Sequence, residues 1–460
     1  MVRPSPACPP MTTTYDPFHP NYFDEGDLRQ ELTRVYDLCH GCRLCFKFCS
    51  AFPTLFDLID EHEDQDASKL TVAEQDQVID LCFQCKLCYL NCPYTPPQHE
   101  WAIDFPRLMM RADQVLFRNR RRGLKQRLSD KALGDTDRVG KVSSLLAPLV
   151  NRAVRTPGSR VRRMMERAVG IAQERVLPPY SRPRFSTWFA NRSTRLGRDR
   201  QASVALFPTC LVEYQDTVVG RDLVAVLEHN GVECLLPPGQ VCCGAPLLHQ
   251  GDDRSFVRQA RKNIEVLATA IRKARGGGEE LTVVVPEPTC GYVLKKDYVS
   301  YVGGPDAELV AEHTRDACEY LLSLHKEDDM VLDTAFPGDV PQSLTYHAPC
   351  HLRAQEIGLK SRDLLKLTGA EIQFVAECSG IDGTWGLRAE NLEVARKVAS
   401  KLAAAIDKQD ADMVASDCTL AHGAIILETG RKPVHPVSIL ARAYGLADDT
   451  GGGSAPEEAR

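Results

Sequence analysis

Two runs of cysteine decide how this chain is read: Cys39-His40-Gly41-Cys42-Arg43-Leu44-Cys45-Phe46-Lys47-Phe48-Cys49 and Cys82-Phe83-Gln84-Cys85-Lys86-Leu87-Cys88-Tyr89-Leu90-Asn91-Cys92. Each follows CxxCxxCxxxC. Three thiolates separated by two residues wrap three corners of an iron–sulfur cubane, and the fourth, one helical turn further on, points at the other cluster. The pattern predicts two [4Fe–4S] clusters, one held by Cys39, Cys42, Cys45 and Cys92, the other by Cys82, Cys85, Cys88 and Cys49. CxxC pairs also build tetrahedral zinc sites, but zinc takes pairs, whereas each run here sets four cysteines within eleven residues. Ser50 stands where the motif usually has proline; that position shapes the turn and ligates nothing. With every ligand place filled by cysteine, no iron is open to a substrate, and the module is expected to conduct electrons. Phe46, Phe48, Phe83 and Tyr89 interleave the ligands and are expected to shield the clusters from water.

Outward from the runs, Leu28, Leu32, Val35 and Leu38 recur at helical spacing before the first, and Leu70, Val72 and Val78 precede the second. Residues 31–110 therefore read as a helical ferredoxin-like domain with two clusters. Residues 1–30, rich in Pro, Asp and Tyr, read as an extended arm wrapping a neighbouring surface, with Met1 and Met11 both candidate starts; 447–460 read as a disordered tail. Residues 111–200 read as an arginine-rich helical linker broken by glycine and proline. From 107 to 200, 24 basic residues stand against 7 acidic ones, a net +17 in a chain whose total is −6. Nucleic acid is disfavoured, because the segment has few aromatics to stack bases and no recognition motif. The expected partners of this charge are the acidic remainder of the chain, an acidic redox subunit, or anionic lipid headgroups met by short amphipathic helices.

From residue 201 the pattern changes to strands at 202–207, 232–236, 281–285, 343–347, 371–375 and 412–416, alternating with helices, which predicts parallel-sheet units. Cys210, Cys242 with Cys243, Cys290, Cys350, Cys378 and Cys418 fall just past the carboxyl ends of these strands, where open α/β sheets assemble their sites. FPTC, VCCGAP and PTC in the first half are answered by HAPC, ECSGIDG and SDC in the second, so two similar units are expected, at 201–330 and 340–446. Cys234 and Cys318 read as core; Cys8 supports no assignment. A chain of 460 residues, 43% apolar, with no membrane-length apolar run and no apolar leader, is expected to be cytoplasmic. Its 18 cysteines then point to metal or redox use, not disulfide staples.

Cys242-Cys243-Gly244, YHAPCHLR around Cys350, CSGIDGTWG from Cys378, ASDC at Cys418 and HPVSILARAYG near the end resemble the CCG-domain, heterodisulfide reductase-related iron–sulfur oxidoreductases. Among these, the chain is similar to the C subunits of anaerobic glycerol-3-phosphate dehydrogenases. The resemblance implies a multidomain fold, a helical dicluster ferredoxin domain followed by two repeated α/β CCG-type domains. It also implies that a full motif holds a noncubane cluster that cleaves a disulfide. This chain departs from that motif at Val293 in the first unit, and at Ser379 and Ala421 in the second. The first unit keeps Cys210, Cys242, Cys243 and Cys290, enough for zinc or an additional iron–sulfur cluster. The second keeps Cys350, Cys378 and Cys418, and needs His347, His351 or His422 to close a metal site. Without metal, converging cysteines can form a redox-active disulfide.

No GxGxxG loop is present, so a partner, a flavin dehydrogenase, is expected to supply the electrons. They would pass to quinone, a disulfide or another protein, and the resemblance implies a place peripheral to the inner face of a membrane. The alternatives are a disulfide reductase acting at the CCG-type domains, and a redox sensor or scaffold.

Overall fold

The computed structural model describes residues 15–119, 124–326 and 330–446; Cys8, both candidate start methionines and the tail expected at 447–460 lie outside the described residues. The chain opens with helices α1 (Glu25–Cys42), α2 (Ala51–Asp60), α3 (Val72–Asp80), α4 (Leu87–Leu90) and α5 (Phe105–Asn119). Asp24 caps α1 by accepting from the backbone N–H of Asp27, and Thr71 and Glu74 close a reciprocal capping box on α3. Leu28, Leu32 and Val35 lie on one face of α1 and pack with Phe52 and Leu55 of α2, Val78 of α3 and Leu108 and Val115 of α5. Val72 does not join them: it opens α3 and is 57% exposed, so the helical spacing that suggests it as core does not extend to the helix end. The boundary expected at residue 110 falls inside α5.

The described part of the N-terminal segment lies against α5 and the first α/β unit. Arg111, fully buried, donates to the carbonyl oxygens of Tyr22 at 2.7 Å and Asn21 at 2.9 Å and pairs with Asp27 at 2.7 Å. These bonds satisfy a cation that burial alone would not tolerate. The Tyr22 hydroxyl lies 3.5 Å from that of Tyr301.

Strands β1 (Ala202–Leu206), β2 (Val232–Leu235), β3 (Leu281–Val285) and β4 (Thr314–Asp316) form a parallel sheet in the order β2-β1-β3-β4. Strands β5 (Ser343–His347), β6 (Glu371–Val375) and β7 (Met413–Ser416) form a second in the order β6-β5-β7. The first three strands of both units share one order, as a repeat requires. A single parallel bridge from Ala415 to Val434 stands beside β7 where β4 stands beside β3.

Apolar runs such as Val283-Val284-Val285 show why the first sheet is parallel: both its faces are covered. Phe256, Ile264 and Leu267 of helix Asp253–Gly276 cover one face. Leu223 and Leu227 of helix Thr217–His229 and Leu321 of helix Ala317–Lys326 cover the other. Val437 and Leu440, from the last helix Pro436–Ala443, enter that same layer, so the two units share a core. Burial of each such side chain contributes about 1.5–3 kcal/mol.

Between module and units run short helices at Leu124–Gly134, Thr136–Leu145, Ala147–Val154, Arg160–Val169 and Phe185–Asn191. Charges at the edges of this arginine-rich stretch are neutralised within the chain, by Arg118 on Asp253 at 2.6 Å, Arg192 on Glu228 at 2.6 Å and Arg200 on Glu279 at 2.7 Å. Arg162 is buried and donates to the carbonyls of Ala172 at 2.9 Å and Arg175 at 2.7 Å.

Candidate functional site

The eight N-terminal cysteines are positioned by backbone that leaves helical geometry between them. Arg43 (φ 54) ends α1 after Cys42, and Lys86 (φ 63) occupies the matching place before α4, with Gln84 (φ 54) preceding it. Left-handed residues between thiols curl the chain around a common centre. Cys39 interacts with Cys45, Cys92 and Cys42, and Cys88 with Cys85, Cys82 and Cys49. Cys92 thus stands beside the first run, while Cys49 lies near Cys82 and Cys88 of the second run and near Cys45 of its own. Burial pushes the Cys45 thiol up to about 12 and the Cys49 thiol up to about 11, so these groups become thiolates only around a cationic centre.

The donor set fits an iron–sulfur cluster better than a lone ion. Among the described residues, two groups of three or more His, Cys, Asp or Glu have ligand atoms all within 4.8 Å of one another, and neither contains any of the eight. Zinc, with Zn–S bonds of about 2.3 Å, draws its sulfurs much closer than that. Cys49, Cys82, Cys85 and Cys88 instead surround one small cavity with Phe48, Phe52, Phe83 and Phe105. Phe83 is buried, but Phe46 is 60% exposed and Leu44 58%: the turn from Arg43 to Phe46 sets both outward beside Cys45, so Phe46 does not shield the cluster place.

In the first α/β unit Cys210, Cys242, Cys243 and Cys290 come from the ends of β1, β2 and β3 and form a hydrogen-bonded row in that order. Bonds from Cys210 and then Cys243 drive the Cys242 thiol well below its usual range. The loop is pinned by Asn263, whose amide accepts from Val241 N–H at 2.9 Å and donates to the Val241 and Cys242 carbonyls at 3.1 and 3.2 Å. Asp137, from the arginine-rich stretch, accepts from Cys242 N–H at 2.8 Å and from the Tyr214 hydroxyl at 3.0 Å. Gly244 (φ +92) admits no side chain, since a Cβ would lie 2.7 Å from the Phe256 ring. Val293, at the vacant ligand place, is fully buried in the core.

In the second unit the Cys350 thiol is hydrogen-bonded to Cys378, and Cys418 lies near Cys350. Of the three histidines that could complete a metal site, His347 and His351 have both ring nitrogens in hydrogen bonds. His347 lies 2.9 Å from Ser416 Oγ and 3.1 Å from the Glu377 carbonyl; His422 bonds the Ser416 carbonyl at 2.9 Å. His351 Nε2 bonds the Gln84 carbonyl at 2.9 Å and its Nδ1 the Thr289 hydroxyl at 2.8 Å. Burial lowers all three to about 4, which keeps them neutral. His249, His351 and Asp382 come within metal-binding reach of one another, but both His351 nitrogens are spent on these bonds.

His351 therefore stands where three parts of the chain meet: the loop of Cys82 and Cys85, the segment before Cys290, and its own neighbour Cys350. Cys350 packs against the same apolar patch as Cys85, Phe83 and Leu87. The Trp385 ring packs 5.1 Å from Phe83 and its indole N–H donates to the Asp80 carbonyl at 2.7 Å. Glu287 joins the two units by accepting from Thr419 N–H at 3.3 Å, and burial raises it to about 8. Cys234 and Cys318 are buried, and Cys318 lies within 4.8 Å of Asp316 and of Asp417, the neighbour of Cys418. Asp137, Asn263 and Glu287 carry no local pattern in the sequence that marks them, because each acts across a long separation.

Among the described residues no helix is long and apolar enough to cross a membrane. The cysteine-rich domain family CCG matches at residues 204–295 and 344–425. Over 318 residues the chain is 30% identical to the C subunit of the anaerobic glycerol-3-phosphate dehydrogenase of Escherichia coli, covering 69% of this chain and 77% of that one. It is 31% identical to the B subunit of the fumarate reductase (CoM/CoB) of Methanothermobacter marburgensis over 48% of this chain and 41% of that one. It is 29% identical to lactate utilization protein A of Bacillus pumilus over 40% of this chain and 75% of that one. With two copies of the domain and these relatives, the chain belongs to the CCG cysteine-rich domain family of heterodisulfide reductase-related iron–sulfur proteins.

Proposed function

We propose that this chain is the electron-carrying subunit of an oxidoreductase complex, relaying electrons from a flavin dehydrogenase partner through its eight N-terminal cysteines to its CCG-type units. The observation that carries this reading is the junction of Cys85 with Cys350, locked by His351 between Gln84 and Thr289. When bound, a [4Fe–4S] cluster in each cysteine group supplies one-electron transfer and no bond chemistry.

The residues assign an entry and an exit. All four cysteines of the Cys39 group are partly exposed, and Leu44 and Phe46 frame them as an apolar contact for the donor. Cys85 is buried and packs with Val398 of the second α/β unit, while Cys88 is buried in the helical module's own core. The row in the first unit offers four thiols to an additional iron–sulfur cluster or to zinc. From there electrons leave to quinone, a disulfide or another protein. That two relatives are named as subunits of a dehydrogenase and of a reductase favours a complex over a scaffold.

A peripheral membrane contact completes the proposal. Leu145 at 65%, Leu149 at 70% and Met164 at 67% exposure project from the arginine-rich helices, with Arg152, Arg155 and Arg163 exposed around them. Apolar side chains ringed by cations suit an anionic lipid surface.

The test is anaerobic mixing of the iron-loaded chain with photoreduced flavin mononucleotide. The visible iron–sulfur absorbance should bleach, and it should return on adding a quinone or disulfide acceptor. Loaded protein that does not bleach would overturn the reading.

A further inference from the structure

The pair Cys350 and Cys378 belongs to the unit that keeps three motif cysteines, one short of a closed four-thiolate site. Its unit has lost two motif cysteines, to Ser379 and Ala421, and both ring nitrogens of His347 and of His351 are taken up by hydrogen bonds. Yet the two residues pack against one apolar patch, and both are partly exposed. Cys350 opens the short helix Cys350–Arg353 after β5, and Cys378 follows β6, the strand paired in register with β5. The two sulfurs are thus brought together by adjacent strands, a rigid frame for a disulfide.

Two further features set this pair apart from buried structural cysteines. The Gly380 N–H donates to Cys378 Sγ at 3.4 Å, which fixes the direction of that sulfur. Gly380 (φ +63) is fixed there, since a Cβ would lie 2.4 Å from the Ala395 carbonyl oxygen. And the pair shares an apolar patch with Phe83, Cys85, Cys49 and Trp385, which places it against the Cys49, Cys82, Cys85 and Cys88 group.

We infer that Cys350 and Cys378 form a reversible dithiol–disulfide couple that accepts electrons from the neighbouring four-cysteine centre. In the reducing direction the Cys350–Cys378 S–S bond breaks and two S–H bonds form. Two electrons arrive singly from a reduced iron–sulfur centre, and two protons come from solvent. In the oxidising direction Cys378 attacks a disulfide of a small-molecule or protein substrate. One half of the substrate leaves as a thiol while the other stays on Cys378 as a mixed disulfide; Cys350 then attacks Cys378 Sγ, re-forms the internal bond and expels that half as a second thiol. The couple converts one-electron flow into a two-electron reaction at a place where no metal is needed. The source of its electrons rests on the electron-carrying reading; the couple itself does not.

The test uses the full iron-loaded chain, equilibrated anaerobically in glutathione or dithiothreitol buffers of graded potential, alkylated and mapped by peptide mass spectrometry. The expected result is that the Cys350 and Cys378 thiols are lost together as one cross-linked peptide pair, and return together on reduction, with iron content unchanged. Cys378→Ser should leave Cys350 alkylatable at every potential. Thiols that stay alkylatable throughout the range would overturn the inference. So would a bond joining Cys350 to Cys418 or Cys85, or iron or zinc lost on mutating either residue. A couple that cycles in glutathione buffer while flavin fails to bleach the iron would sink the electron-carrying reading and leave the couple standing.

Discussion

His351 Nε2 lies 2.9 Å from the carbonyl oxygen of Gln84, so a residue of the second α/β unit holds the backbone of the N-terminal cysteine loop. The other ring nitrogen bonds Thr289, beside Cys290. One imidazole thereby sets the spacing of three cysteine groups. His351→Ala would leave a buried carbonyl and hydroxyl unpaired, at a cost of about 1–3 kcal/mol. The expected outcome is a lower urea midpoint together with slower bleaching by reduced flavin, and His351→Gln should recover part of both. An unchanged bleaching rate in His351→Ala would show that the bond is structural only.

The first unit depends on Asn263, which makes three bonds to Val241 and Cys242. Asn263→Leu removes them and adds bulk to a packed core. We expect a loss of about 2–4 kcal/mol, read from chemical denaturation. Iron above that of the N-terminal groups should fall while their signals persist.

Acid should loosen the last helix. His435 caps Pro436–Ala443 by accepting from Val437 N–H at 3.2 Å, while its other nitrogen meets the Pro286 carbonyl at 2.9 Å. Burial lowers its pKa to about 4. The unfolded chain, with an ordinary histidine near 6.5, therefore binds more protons between those values, so this contribution is complete above about pH 6.5 and is lost as pH falls through 4. Its size is at most about 3 kcal/mol. His435→Asn keeps a capping oxygen and does not titrate, so its urea midpoint should drop less than that of wild type between pH 7 and pH 4.5.

How much of this is legible in the sequence varies with range. Cys39 to Cys49 and Cys82 to Cys92 declare their grouping because ligand spacing is local. Strands such as β3 and β5 declare themselves through apolar β-branched and aromatic runs bounded by turns. β4 does not, because three residues carry no periodicity. Phe46 faces away from its expected place because a turn, not an alternation, decides which way its ring points. Asp137 reaches Cys242 across 105 residues and His351 reaches Gln84 across 267, contacts made only when separate elements pack.

The exposed leucines of the arginine-rich stretch give a prediction independent of iron. Leu145→Asp with Leu149→Asp changes side chains that are 65% and 70% exposed, so folding should hold. Co-sedimentation with vesicles containing phosphatidylserine should fall severalfold against wild type, and wild-type binding should weaken with added salt. Equal binding by the double variant would remove the lipid contact from the proposal.

The most direct test of the electron-carrying account is the iron, zinc and acid-labile sulfide content of anaerobically purified chain, joined to paramagnetic resonance of the dithionite-reduced state. The account predicts at least about eight iron and eight sulfide per chain, with two spin-coupled clusters. It also predicts that Cys85→Ser removes the signal of one cluster. Zinc in place of iron, or a single cluster, would contradict it.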